Sequence, residues 1–135
     1  FSAGHCEVLN RTEDGRIHLV VRAEKRLRLV SEVQTLPYRI VEAEVVLDEP
    51  EPEAENRALQ QSINDRLLAL VSSQDPSLAE AMTEEKWVSL PPAEFSFKVF
   101  QFLRFGPDLM QALLESTRAS ERLETIDEVL QSVVS

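Results

Sequence analysis

The 135-residue chain carries 14 Lys plus Arg against 24 Asp plus Glu, a formal charge of −10, and is 43% hydrophobic, enough for one domain or two small subdomains around a sizeable core. Its three glycines, Gly4, Gly15 and Gly106, lie too far apart for a Walker loop, a dinucleotide-binding turn or a nucleophile elbow, each of which needs closely spaced glycines. One cysteine and two histidines exclude an intrachain disulfide and are too few for a structural zinc site, and no apolar run approaches the roughly 18 residues of a membrane span.

The first elements read as β structure. Cys6 to Asn10 forms a strand, and Asp14-Gly15 supplies the positive-φ tolerance that a hairpin loop requires. The return strand alternates, with Ile17, Leu19, Val21 and Ala23 on one side and Arg16, His18, Val20 and Arg22 on the other. With Arg11 placed near Arg16, His18 falls opposite Leu9. After Glu24-Lys25 a further alternating run, Arg26 to Val33, puts Leu27 and Leu29 inward. Pro37 breaks the pattern, and Tyr38 to Leu47 makes a fourth strand with Val41, Ala43 and Val45 inward. Four strands with short turns predict an antiparallel meander.

The pattern changes at Asp48-Glu49-Pro50-Glu51-Pro52-Glu53, two prolines and four acids with nothing to bury, which reads as a linker. From Ala54 the period is helical, with Leu59, Ile63, Leu67, Leu70 and Val71 in one stripe. Asp75-Pro76 has the form of an N-cap followed by proline at the first helical position, opening a short helix, and Trp87 falls in the loop after it. Pro91-Pro92 starts a helix carrying Phe95, Val99, Phe100, Phe102 and Leu103, which Gly106-Pro107 is expected to end. Two more helices follow, Asp108 to Ser116 and Ser120 to Val134. The expected fold class is α+β: a β subdomain over 1–48, an acidic proline linker over 49–53, and a helical subdomain of four to five helices over 54–135.

Two stretches resemble one family, the amino-terminal substrate-binding domain of Lon proteases and its stand-alone relatives. The first is Gly4-His5-Cys6-Glu7-Val8 with Asp14-Gly15-Arg16 and the strand through Ala23 to Arg26-Leu27-Arg28-Leu29, then Pro37-Tyr38-Arg39. The second is Gln111-Ala112-Leu113-Leu114-Glu115 followed by Glu121-Arg122-Leu123, similar to a K-Q-x-L-L-E and E-R-L signature, with Met110 where the pattern has Lys. The resemblance implies a PUA-like pseudobarrel joined to a helical part, and a role in recognising polypeptides. The family's opening P-L-F-P-L-type and I-F-E-x-R-Y-type segments have no counterpart, and the chain begins Phe1-Ser2-Ala3-Gly4. An amino-terminal part carrying the first strands is therefore expected to precede it, in a stand-alone Lon-domain protein. The catalysis of the family's ATPase-protease members is not carried over.

The residues point the same way. His5 and Cys6 are adjacent, so in a strand they face opposite sides and share neither a metal nor a proton. The acidic clusters at 48–55 and 83–85 lack the alternating oxygens of a calcium loop. No catalytic residue, metal or cofactor is expected. The basic set Arg16, Arg22, Lys25, Arg26, Arg28 and Arg39 raises RNA binding, but residues 1–50 hold seven basic against nine acidic side chains and residues 51–135 seven against fifteen, a field that repels a polyanion. Five of the six phenylalanines fall between Phe95 and Phe105, on more than one side of the expected helix. Trp87, Phe95, Phe97, Phe100 and Phe105 are the candidate polypeptide-binding surface. The expected function is non-catalytic recognition of unfolded or degron-bearing polypeptides in a reducing, cytoplasmic setting. The alternatives are an RNA-binding PUA-like module and a structural, self-associating domain.

Overall fold

The glycine at each end of the first hairpin sits where no other residue fits well. Gly15 has φ +86° and closes the turn in which its own N–H donates to Thr12 O at 3.1 Å and Thr12 N–H donates to Arg16 O at 2.9 Å. The Asp14 carboxylate accepts from the Thr12 hydroxyl and from Arg16 N–H, and these bonds, the hydroxyl first, hold its pKa below the usual carboxylate range. Gly4 lies opposite Ala23, where an added Cβ would stand 1.7 Å from the Arg22 carbonyl oxygen.

The structure, a computed structural model, describes residues 1–134; Ser135, the end of the expected helical subdomain, lies outside them. The chain divides into two compact units, Phe1–Leu47 and Asp48 onward. The first is an antiparallel sheet of β1 (Ser2–Arg11), β2 (Ile17–Gln34) and β3 (Ile40–Val46), in the order β1-β2-β3. Four strands were expected from the pattern. Two of them are one, because the 18 residues of β2 contain neither glycine nor proline to break it.

Register shifts let a single strand carry two apolar runs. Ala23 pairs with Gly4 but Lys25 pairs with Ala3, so Glu24 is an extra residue and the alternation inverts across it. Ile17, Leu19 and Val21 therefore lie on one face of the sheet, and Leu27 and Leu29 on the other. A second extra residue, Leu9, puts His18 opposite Asn10 and not opposite Leu9 as expected. Toward β3, Val30 and Val33 are extra in the same way. Both faces expose apolar side chains: Leu19 and Val21 are 51% and 55% exposed on one, Leu29 and Val45 53% and 54% on the other.

The second unit holds α1 (Glu53–Val71), α2 (Pro76–Ala81), α3 (Glu85–Val88), α4 (Pro92–Lys98), α5 (Pro107–Glu115) and α6 (Ala119–Val134). Asp75 caps α2 through its carboxylate, which accepts from Ser77 N–H and Leu78 N–H. Trp87 is not in a loop but within α3. The aromatic segment is also shorter as a helix than expected: α4 ends at Lys98 and passes into one 3₁₀ turn, Val99–Gln101. Gly106 opens α5 as its N-cap, with Pro107 at the first helical position, so Phe105 lies outside any helix. Ile63 of α1, Met82, Phe95, Val99, and Leu123 and Ile126 of α6 are essentially inaccessible and form the core. Each contributes about 1.5–3 kcal/mol relative to an exposed side chain.

Candidate functional site

The aromatic residues singled out by composition separate into two groups. Trp87 and Phe95 belong to the core, 6% and 1% exposed, with ring centroids 5.1 Å apart. The Trp87 indole also meets Phe102 edge-on at 4.9 Å, and its Nε1–H donates to Asn64 Oδ1 at 2.8 Å. Burial of an indole requires such a partner. These two side chains therefore brace the unit from within and offer little surface of their own. Phe97, Phe100 and Phe105 are half-buried, and Phe100 and Phe105 form an edge-to-face pair at 5.4 Å. Phe97 has a different neighbour: its ring lies 4.2 Å from the Arg122 guanidinium carbon, a cation–π contact.

Arg122 is wholly buried. Its Nε–H donates to Ser96 Oγ at 2.9 Å, and Nη1 donates both to Asp48 Oδ1 at 2.8 Å and to the Ser116 carbonyl at 2.9 Å. Nη2 donates to Asp48 Oδ2. The pairing with Asp48 is thus bidentate, the geometry that suits a planar guanidinium. Sequence reasoning passed over this residue, although a signal was available. Ala119, Arg122, Leu123, Ile126 and Leu130 share the buried line of α6 at three- and four-residue spacing, so the arginine stands in an apolar stripe.

The acidic segment expected to be solvated is tied down by the same corner. Glu51 accepts from Ser120 N–H at 3.0 Å and from the Ser120 hydroxyl, and it faces the Arg118 guanidinium at 3.5 Å. Those bonds, with the Ser120 hydroxyl first and Arg118 adding to them, lower the Glu51 pKa. Glu49 N–H donates to Thr117 O at 2.7 Å. The carboxylates of Asp48, Glu49 and Glu51, read from the sequence as part of a linker without a calcium-loop pattern, are thus engaged by arginine, serine and backbone groups. Among the described residues, no cluster of three His, Cys, Asp or Glu is arranged to hold a metal ion.

The model of the ATP-dependent protease La (LON) substrate-binding domain matches residues 5–132 of the chain. The chain belongs to that family. The N-terminal domain of Mycobacterium avium complex Lon protease has a similar structure, with a TM-score of 0.70 and 21% identity over 93% of this chain and 67% of that one. No match is found among curated proteins. The Lon substrate-binding domain takes up nearly the whole of the 135 residues, which therefore hold no protease domain.

In this Lon domain the E-R-L stretch Glu121-Arg122-Leu123 acquires a physical meaning: the arginine is the buried hub just described, Leu123 is core, and Glu121 bonds the Ser116 hydroxyl at 3.2 Å. The opening glycine of the Gly4-His5-Cys6 stretch is the close approach of β1 to β2. His5 faces Glu24 at 3.6 Å, Cys6 pairs with Val21 and His18 with Asn10, so these three side chains are not brought together. Of the basic strand residues, Arg16, Arg22, Arg28 and Arg39 each have a carboxylate within 4 Å, from Asp14, Glu7, Glu44 and Glu32 respectively. Such pairing weakens the local positive field on which nucleic-acid binding draws. Among the described residues, no helix is long and apolar enough to cross a membrane.

Proposed function

We propose that this Lon substrate-binding domain is a recognition module for unfolded or degron-bearing polypeptides, which dock by apolar contact on Phe97, Phe100 and Phe105. The observation that carries the reading is the partial exposure of these three residues, with Phe100 and Phe105 packed against the core cluster that holds Trp87 and Phe95 and Phe97 stacked on the buried Arg122. Rigid aromatics bind with little loss of side-chain entropy and supply large contact areas. The domain performs no chemistry on what it binds. It delivers a segment to a protease, or acts alone as an adaptor. The exposed thiol of Cys6 is compatible with a reducing, cytoplasmic setting.

Phe105 provides the cleaner test, since an acid at Phe97 would face the Arg122 guanidinium and disturb the hub. Fluorescence anisotropy of a reduced, alkylated and permanently unfolded protein should report binding to the wild type. In Phe105→Asp the affinity should fall about tenfold or more, the loss of a well-placed aromatic contact. Undiminished affinity in a folded Phe105→Asp domain would sink this surface.

A further inference from the structure

Residues 48–135 hold seven basic against seventeen acidic side chains, yet the acids are unevenly spread. Residues 95–107 contain none, the longest acid-free run in the chain, and they carry five of the six phenylalanines together with Lys98 and Arg104. Lys98 faces Glu94 at 3.8 Å. Of the seven cations in residues 48–135, six have a carboxylate within 4 Å in this way. Arg104 is the exception. It is exposed, and among the described residues its side chain has neither an ion-pair nor a hydrogen-bond partner.

That charge stands beside the aromatic surface. Arg104 directly precedes Phe105, whose ring packs edge-on against Phe100 at 5.4 Å, and both lie in residues 103–106, which belong to no helix. Their Cα atoms are about 3.8 Å apart. Because the protein does not hold the guanidinium, it turns toward a group docked near Phe105 without first breaking a bond of its own.

An extended polypeptide advances about 3.3 Å per residue. A carboxylate one or two positions from an apolar residue seated on Phe100 and Phe105 therefore lies about 3–7 Å along the segment, within reach of the side chain next to Phe105. A second or third acid finds no such partner and meets the acidic excess of residues 48–135. We propose that this surface selects segments in which an aromatic or aliphatic residue has a single Asp or Glu within two positions, the carboxylate pairing with Arg104. This rests on the polypeptide-recognition reading and adds which segments are read: apolar with one acid, in preference to purely apolar, basic or acid-rich ones.

Fluorescence anisotropy on the 135-residue chain compares short labelled peptides, amidated at the carboxyl terminus, that carry Leu-Phe in a Gly/Ser background followed by Asp, Asn or Lys. The Asp peptide should bind about threefold more tightly than the Asn peptide, the size of an exposed ion pair, and more tightly still than the Lys peptide. The difference should shrink at 1 M salt, where the screening length falls to about 3 Å. Arg104 holds no partner, so its variants are expected to fold. In Arg104→Gln the Asp and Asn peptides should bind alike, and in Arg104→Glu the Lys peptide should become the tightest. Arg11→Gln removes an exposed cation of β1 and changes the net charge equally, and the preference for Asp should survive it. Equal binding of the Asp and Asn peptides by the wild type overturns the inference, as does a preference that survives Arg104→Gln or is lost in Arg11→Gln. So does a gain that follows a free terminal carboxylate on the Asn peptide and not the internal Asp. If the permanently unfolded protein binds while the peptides show no preference, selection by Arg104 falls and the recognition reading stands. If neither that protein nor any peptide binds, the recognition reading falls and the selection with it.

Discussion

Replacing Arg122 by methionine keeps most of the side chain's bulk and removes its charge and donors. Asp48 loses both of its guanidinium bonds, and Ser116 O and Ser96 Oγ lose one each. The Asp48 side chain is only 22% exposed, so water cannot fully replace what is lost. Removing one partner of a buried ion pair costs about 3–5 kcal/mol, and the stacked Phe97 ring adds about 0.5–2 kcal/mol. Against a typical domain stability of about 5–15 kcal/mol, this is about a quarter of the total or more. Urea unfolding followed by Trp87 fluorescence measures it. A double-mutant cycle with Asp48→Asn should give a coupling of about 2 kcal/mol, within the range for residues that share a network. A loss below about 1 kcal/mol in Arg122→Met, or additive effects within about 0.5 kcal/mol, would refute the assignment of Arg122 as the hub.

The other two predictions concern the opening glycine and the acidic strap. Gly4→Ala forces a methyl group to within 1.7 Å of the Arg22 carbonyl oxygen, so β1 must separate from β2 there; a loss of about 2 kcal/mol or more should appear as faster hydrogen exchange at β1 amides, and unchanged protection contradicts it. Glu51 has a lowered pKa in the folded state, so its stabilising effect is complete above the unfolded value of about 4.3 and is lost as pH falls through the lower folded value. Stability should therefore drop less steeply between about pH 5 and pH 2 in Glu51→Gln than in the wild type, and identical slopes in denaturant titrations would remove Glu51 from the account.

Much of the framework was legible because it depends on local chemistry. Asp14-Gly15 marks a turn through the φ it needs, Asp75-Pro76 marks a helix start through capping, and Ile63 and Leu67 mark a buried helical face by their spacing. What escaped depends on partners distant in the chain. The inversion at Glu24 arises from pairing with Ala3 and Gly4, so two alternating runs read as two strands although the backbone continues. The end of α4 at Lys98 has no glycine or proline to announce it. Composition could identify Trp87 and Phe95 as large apolar residues but could not decide between surface and core, because that depends on Asn64 and Phe102 closing over the indole. The candidate site was thus visible as a cluster of aromatics, while the polar features of Arg122 and Asp48 emerged only once helices were packed.

The Asp48–Arg122 pair joins positions 74 residues apart, and this has an evolutionary consequence. Changing either residue alone strands a desolvated charge or leaves hydrogen-bonding groups unmet, whereas exchanging both for well-packed apolar residues can be nearly neutral. The two positions then form a single inherited character. Relatives with a different side chain at the arginine position should also have lost the aspartate, and lineages should move between the two solutions by paired replacement, with few intermediates surviving between them.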